Sequence, residues 1–197
     1  MKQVRLLILV LSVLFIAACG GDDYESKNVD PNLSDNVGNF SGLNEAGEEF
    51  SVADLQGHWW VADFIFTNCT TVCLPMTSNM VTLQGMLEDE GLDDVKLLSF
   101  SVDPDNDTPE VLTDYANEYG ADLNRWTFLT GYDFETIQNY SLETFKSLVD
   151  APDEGDDQVE HGTRFFLIDP EGNIKSHYSG MNSEELEAIV NDIKNFQ

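Results

Sequence analysis

The chain has 197 residues, 42% of them hydrophobic and 11% aromatic, which suits one globular domain with a buried core. It carries 9 Lys and Arg against 37 Asp and Glu, a formal net charge of −28, and this excludes a nucleic-acid partner because too little positive charge exists to neutralise phosphates. The acid is spread along the whole chain, densest in "DEGDD" at 153–157, and reads as a solvated surface rather than a docking tail. A high-salt habitat would account for it, since salt shortens the Debye length and screens self-repulsion; loss of half the structure in low-salt buffer would bear this out.

"MKQVR" carries two positive charges, and the unbroken apolar run "LLILVLSVLFIAA" follows. Residues 1–18 therefore read as a secretory signal, too short to span a bilayer as a mature helix. "IAAC" followed by "GGDD" is similar to a bacterial lipobox, with Ile16 where Leu is more usual. That likeness implies that Cys19 becomes the mature N-terminus and carries a lipid. The cysteine count agrees, because 3 is odd for an exported protein and lipidating Cys19 leaves a matched pair. Removing Lys2 and Arg5 leaves 7 basic residues against 37 acidic, a mature charge of −30. Residues 19–37 are polar and mixed and read as a tether, with the folded domain over 38–197.

Within the domain, "NFSGLNEAGEEFSVADLQG" predicts a hairpin around a Gly-containing turn, with Phe40, Leu43, Phe50 and Val52 inward. "WWVADFIF" (59–66) and "VKLLSFSV" (95–102) are buried strands. Between them a helix begins at Pro75, with Met76, Met80, Leu83 and Leu87 at helical spacing and Gly91 as its stop. "DNDTPEVLTDYANEYG" predicts a helix capped by Thr108, with Pro109 first and Gly120 last. "RWTFLTG" is a short strand, and a third helix follows with an apolar stripe through Phe134, Ile137, Leu142, Phe145 and Leu148. "TRFFLID", the turn "PEGN" and "IKSHYSG" form a hairpin, and Ser183 caps a last helix. Strands alternate with helices before a closing hairpin and helix, which implies an α/β fold with a mixed sheet sandwiched by helices.

The chemistry concentrates in "FTNCTTVC". The strand delivers Cys69 to a turn at its carboxyl end, where ligands collect in open α/β sheets, and Cys73 lies near the start of the next helix. A helix N-terminus lowers thiol pKa, so both cysteines are expected to be reactive. In a helical segment an i, i+4 pair shares one face with a rise of about 6 Å. That spacing suits a disulfide or two sulfurs on one ion, so a redox pair and a metal pair both stay open. A purely structural disulfide would close too small a loop to gain much from chain entropy.

"FTNCTTVCLPMT", "SFSVDPDNDTPEVL", "WTFLTG" and "VEHGTRFFLIDPEGNI" together resemble the Sco/SenC family of copper-handling proteins needed for cytochrome c oxidase assembly, with the lipid-anchored members of Gram-positive bacilli nearest in pattern. The resemblance runs from about residue 38 to the C-terminus. It implies a thioredoxin-like fold and a copper site made of the CxxxC pair and one distal histidine, here Cys69, Cys73 and His161. The sequence departs from the family in two places: Leu74 intervenes before Pro75, where a proline commonly follows the second cysteine, and Gly162 stands where Ser or Gln often follows the histidine. Two thiolates and an imidazole suit Cu(I) and can also hold Cu(II), whereas a structural zinc site would want a fourth ligand and the domain has no third cysteine.

The remaining candidates carry blander readings. His58 and His177 read as surface residues, and Met76 and Met80 as core filling rather than thioether ligands. Asp103 serves a turn or stands beside the site, and "DEGDD" is a solvated loop that could attract cations loosely. The resemblance implies a copper metallochaperone for the dinuclear copper centre of an oxidase subunit, lipid-anchored on the outer face of the cell membrane. The alternative is a thiol-disulfide reductase that keeps that subunit's copper-binding cysteines reduced, ending with Cys69 bridged to Cys73. A thiol peroxidase would need a Thr and an Arg around Cys69, and no such constellation is evident.

Overall fold

The computed structural model describes residues 36–197. The predicted signal, Cys19 and nearly all of the tether lie outside them. Asn36 and Val37 already belong to the packed domain: the Val37 N–H donates to the Gly172 carbonyl, and the Asn36 side chain to the Glu171 carbonyl. Among the described residues no helix is long and apolar enough to cross a membrane.

A hairpin of β1 (Ser41–Asn44) and β2 (Glu49–Ser51) leads into β3 (Trp60–Ile65), α1 (Cys73–Asp89), β4 (Lys96–Ser101), α2 (Pro109–Tyr119) and β5 (Trp126–Thr130). Then come α3 (Phe134–Phe145), the short β6 (Val149–Asp150) and β7 (Glu160–His161), the hairpin β8 (Arg164–Ile168) and β9 (Ile174–Ser179), and α4 (Leu186–Phe196). Seven strands form one sheet in the order β2-β1-β5-β4-β3-β8-β9. Its centre, β3-β4-β5, is parallel, and β8 and β1 add antiparallel on either side. β6 and β7 pair only with each other. This is the mixed, helix-flanked architecture expected, with the N-terminal hairpin on one edge.

The period-2 pattern of β3 divides the core. Val61 and Ile65 face α1, α2 and α4 together with Leu83, Leu112, Phe128 and Ile189. Trp60, Ala62, Phe64 and Phe66 face the other layer, where Phe100, Phe145 and Phe166 pack ring against ring. At roughly 25 cal/mol per Å² of apolar surface, this two-sided burial fixes where the strand ends, and so where Cys69 emerges.

Several local expectations need correction. Helix α1 starts at Cys73, two residues before Pro75, because a proline in the first turn forfeits only an N–H that has no partner there anyway. The buried stripe of α3 is Ile137, Ser141 and Phe145, whereas Leu142 and Leu148 are 49% and 53% exposed. The helix stops at Phe145 because Lys146 turns left-handed (φ 51), so Leu148 never reaches the helical face. Asn182, not Ser183, caps the last helical segment: its side chain accepts from the Glu184 N–H ahead of a short 3-10 turn. Phe40 and Val52 are buried as expected, but Leu43 and Phe50 are only half-buried on the sheet edge.

Candidate metal centre

Cys69, Cys73 and His161 converge. Their two sulfurs and one ring nitrogen all lie within 4.8 Å of one another, the one such group of metal-ligating side chains among the described residues. Cys69 follows the end of β3 and is 7% exposed, while Cys73 opens α1 and is 1% exposed. His161 closes β7, whose partner Val149 fixes it opposite the end of α3. Both cysteines are free thiols.

The helix N-terminus acts on the first sulfur directly: the Cys73 N–H donates to Cys69 Sγ at 3.3 Å. The Cys69 pKa falls to about 3, first because the Cys73 thiol hydrogen-bonds to its thiolate. The His161 ring and the Thr71 and Cys73 N–H groups add to this and outweigh burial. The same hydrogen bond, together with burial, pushes Cys73 upward. The pair thus shares its charge unequally, with a thiolate on Cys69 and the retained proton on Cys73. Cys73 Sγ lies 3.1 Å from His161 Nε2. His161 Nδ1 lies 2.9 Å from the Gly162 carbonyl, to which it donates, so Nε2 is the nitrogen that faces the sulfurs.

Two buried carboxyl groups hold the cysteine side. Asp107 is fully buried and accepts from the Ser101 and Thr67 hydroxyls, each at 2.6 Å, and from the Thr67 N–H. It ties the end of β4 to the root of the Cys69 loop. Burial raises its pKa against those hydrogen bonds. Asp63, on β3, is also fully buried; it accepts from the Ser99 hydroxyl at 2.5 Å, and Ser99 in turn accepts from the Trp126 indole N–H. Its second oxygen has no partner, and burial lifts its pKa to about 7 against the Ser99 hydrogen bond and the His161 charge. Sequence reasoning passed over both. The one signal for Asp63 was a lone carboxylate inside "WWVADFIF".

The bland readings mostly hold. Met76 and Met80 are fully buried in the core. Asp103 is a turn residue whose carboxylate accepts from the Asn106 side chain. His58 faces the Asp94 carbonyl, away from the cysteines. His177 is the correction: it is half-buried beside Phe166, its neighbour across the β8-β9 ladder, rather than exposed. The acidic loop is partly built into the site. Asp153 and Asp156, with Asp150 and Glu160, line a cleft of about 780 Å³ that opens beside His161, so cations approach through negative potential. Gly162 also gains a reason: a Cβ there would sit 2.2 Å from Ser147 Oγ, so the backbone passes where no side chain fits.

A SCO1/SenC family profile matches residues 29–196. The SCO1 protein homolog of Bacillus subtilis is 41% identical over 98% of this chain and 97% of its own. Among solved structures, BsSco, described as a member of the Sco family of cytochrome c oxidase assembly proteins with a disulfide switch, is 40% identical with a TM-score of 0.75, covering 86% of this chain and 97% of that one. ScoI of Bradyrhizobium japonicum with copper bound is 25% identical with a TM-score of 0.62, covering 81% and 98%. By extent of match, fold and the motifs that build the site, the chain belongs to the SCO1/SenC family.

Proposed function

We propose that this protein is a copper metallochaperone that carries its cargo to the dinuclear copper centre of a cytochrome c oxidase subunit, held on the outer face of the cell membrane by a lipid on Cys19. One observation carries the reading: two cysteine sulfurs and one imidazole nitrogen within 4.8 Å, at the mouth of an acidic cleft. Metal bonds to thiolate and imidazole of about 2.0–2.3 Å would be met by small side-chain shifts from that span. The donor set fits a soft, thiophilic ion and rejects Mg²⁺ and Ca²⁺. Three protein donors leave a position for an incoming client thiolate, so the cargo can pass by ligand exchange. Relatives with copper bound and with an oxidase-assembly role support this direction.

The unequal thiols favour a second reading, reduction of the client's own cysteines. The Cys69 thiolate attacks a client disulfide, breaking its S–S bond and forming a mixed disulfide with one client thiolate released. Cys73 then attacks Cys69 Sγ, its proton passing to the second client thiolate, which leaves as the mixed disulfide breaks. Two electrons have passed to the client, and the Cys69–Cys73 disulfide that remains no longer offers two thiolates to a metal.

His161→Ala separates the two. The variant should lose tight copper binding and oxidase assembly while Cys69 and Cys73 still oxidise to a disulfide. Full oxidase activity in cells carrying it would overturn the metallochaperone reading.

A further inference from the structure

The two halves of the centre come from segments 88 residues apart, and the Gln158 carboxamide makes most of the hydrogen bonds that join them. Gln158 Oε1 accepts from both the N–H and the hydroxyl of Thr70, each at 3.1 Å. Its Nε2 donates to the Asn68 carbonyl at 3.1 Å and to Asp157 Oδ1 at 2.8 Å. Asn68 returns a bond from its own amide to Asp157 Oδ2 at 2.8 Å. Asn68 and Thr70 flank Cys69, and Gln158 lies three residues before His161. The side chain therefore grips the main chain on both sides of one sulfur while anchoring the strand that carries the imidazole.

Few other hydrogen bonds tie the arm to the domain, among them the one from the Gly162 N–H to the Leu148 carbonyl at 3.1 Å. β6 and β7 share two residue pairs, Val149 with His161 and Asp150 with Glu160. Val159 is buried, but residues 153–157 are exposed. The Gln158 contacts are also chemically particular, because the side chain must accept on one atom and donate on the other. A glutamate keeps the shape but cannot donate, and it would set a second carboxylate against Asp157, which the Gln158 and Asn68 hydrogen bonds hold below the usual carboxylate range.

We propose that Gln158 is the latch of the His161 arm: a positioning residue that holds the imidazole over the two sulfurs and sets how fast it lifts away to release cargo. The release part rests on the metallochaperone reading; the latch itself does not.

Two measurements on the full chain test it. In the metal-free, reduced protein, diethyl pyrocarbonate modification of His161 is followed by peptide mapping with His58 as the internal standard. Gln158→Ala should speed His161 modification roughly tenfold, the loss expected for a few weak hydrogen bonds, and Gln158→Glu should exceed it. An unchanged rate in both variants overturns the latch. In the copper-loaded protein, Gln158→Ala should speed release to a chelator by a similar factor, and less than twofold in a His161→Ala background. An equal speeding in both backgrounds would mean that Gln158 acts through the cysteines or the fold, and overturns the proposal. Faster His161 modification in a protein that binds no copper would leave the latch standing and overturn its release role together with the metallochaperone reading.

Discussion

Cys73 opens a 17-residue helix and Cys69 follows a strand paired on both sides, whereas His161 hangs from a ribbon of two residue pairs. The cysteine loop is rooted by Asp107, a fully buried carboxyl that reaches Thr67 and Ser101, while the side-chain hydrogen bonds that hold the histidine arm come from half-buried and exposed residues. Buried hydrogen bonds to charged groups are worth more, and cost more to break, than exposed neutral ones. The difference assigns the two regions separate tasks. The sulfurs are set by the core, and the imidazole is the donor least tied to it. A site that must bind and then surrender a metal gains from one adjustable donor, since opening the arm lowers the coordination number without disturbing the core.

If that division is right, breaking the cysteine framework should cost global stability, and breaking the arm should cost less. The largest effect should come from the framework's own buried carboxyl, Asp63, where charging the group, not breaking a contact, is what costs stability. Its carboxyl has an ordinary pKa of 3.8 when unfolded and about 7 when folded, so between these values the folded chain holds a proton that the unfolded chain has lost. Stability from this group is present at pH 4 and declines as pH rises to 7, by up to about 4 kcal/mol. Asp63→Asn should remove that decline and leave the reduced, metal-free variant more stable than wild type at pH 8, as urea unfolding at pH 4.5 and 8 would report. Equal pH slopes in the two proteins would count against a buried, protonated Asp63.

Asp107→Ala comes next. It strands the hydroxyls of Thr67 and Ser101 in the interior and should destabilise the domain by about 3 kcal/mol in urea unfolding. Gly162→Ala probes the arm. The new Cβ would stand 2.2 Å from Ser147 Oγ, a clash worth about 2 kcal/mol. With Ser147→Ala added, the nearest remaining atom of that side chain is its Cβ at 3.5 Å, so most of the loss should return in thermal unfolding of the double variant. Should Gly162→Ala cost more than Asp107→Ala, the arm would be the more rigid half.

The framework was far more legible in the sequence than the arm. Runs such as "WWVADFIF" and "VKLLSFSV" announce strands because both their faces are buried, and Thr108, Pro109 and Gly120 mark α2 through local backbone chemistry. The Cys69–Cys73 pair is local as well, so its place at a strand end could be read directly. His161 could not be, because nothing within a few residues of it says which distant segment it meets; only the family resemblance pointed to it. Gln158 gave no signal, since its partners become neighbours only when the chain has folded over nearly ninety positions. Leu142 and Leu148 misled because hydrophobic periodicity carried the third helix past Phe145, whereas the left-handed turn at Lys146 ends it. Asp63 shows the opposite failing: the strand was read correctly and the buried carboxyl within it was overlooked.

The central claim is that one imidazole and two thiolates serve a single ion. Its most direct test is copper titration of the reduced protein and of His161→Ala, following thiolate-to-Cu(II) charge-transfer absorption and the nitrogen signature in electron paramagnetic resonance. Saturation at one equivalent with two sulfurs and one nitrogen bound is expected in the wild type, and loss of the nitrogen signature in the variant. Identical spectra for the two proteins, or no charge-transfer band in either, would contradict it.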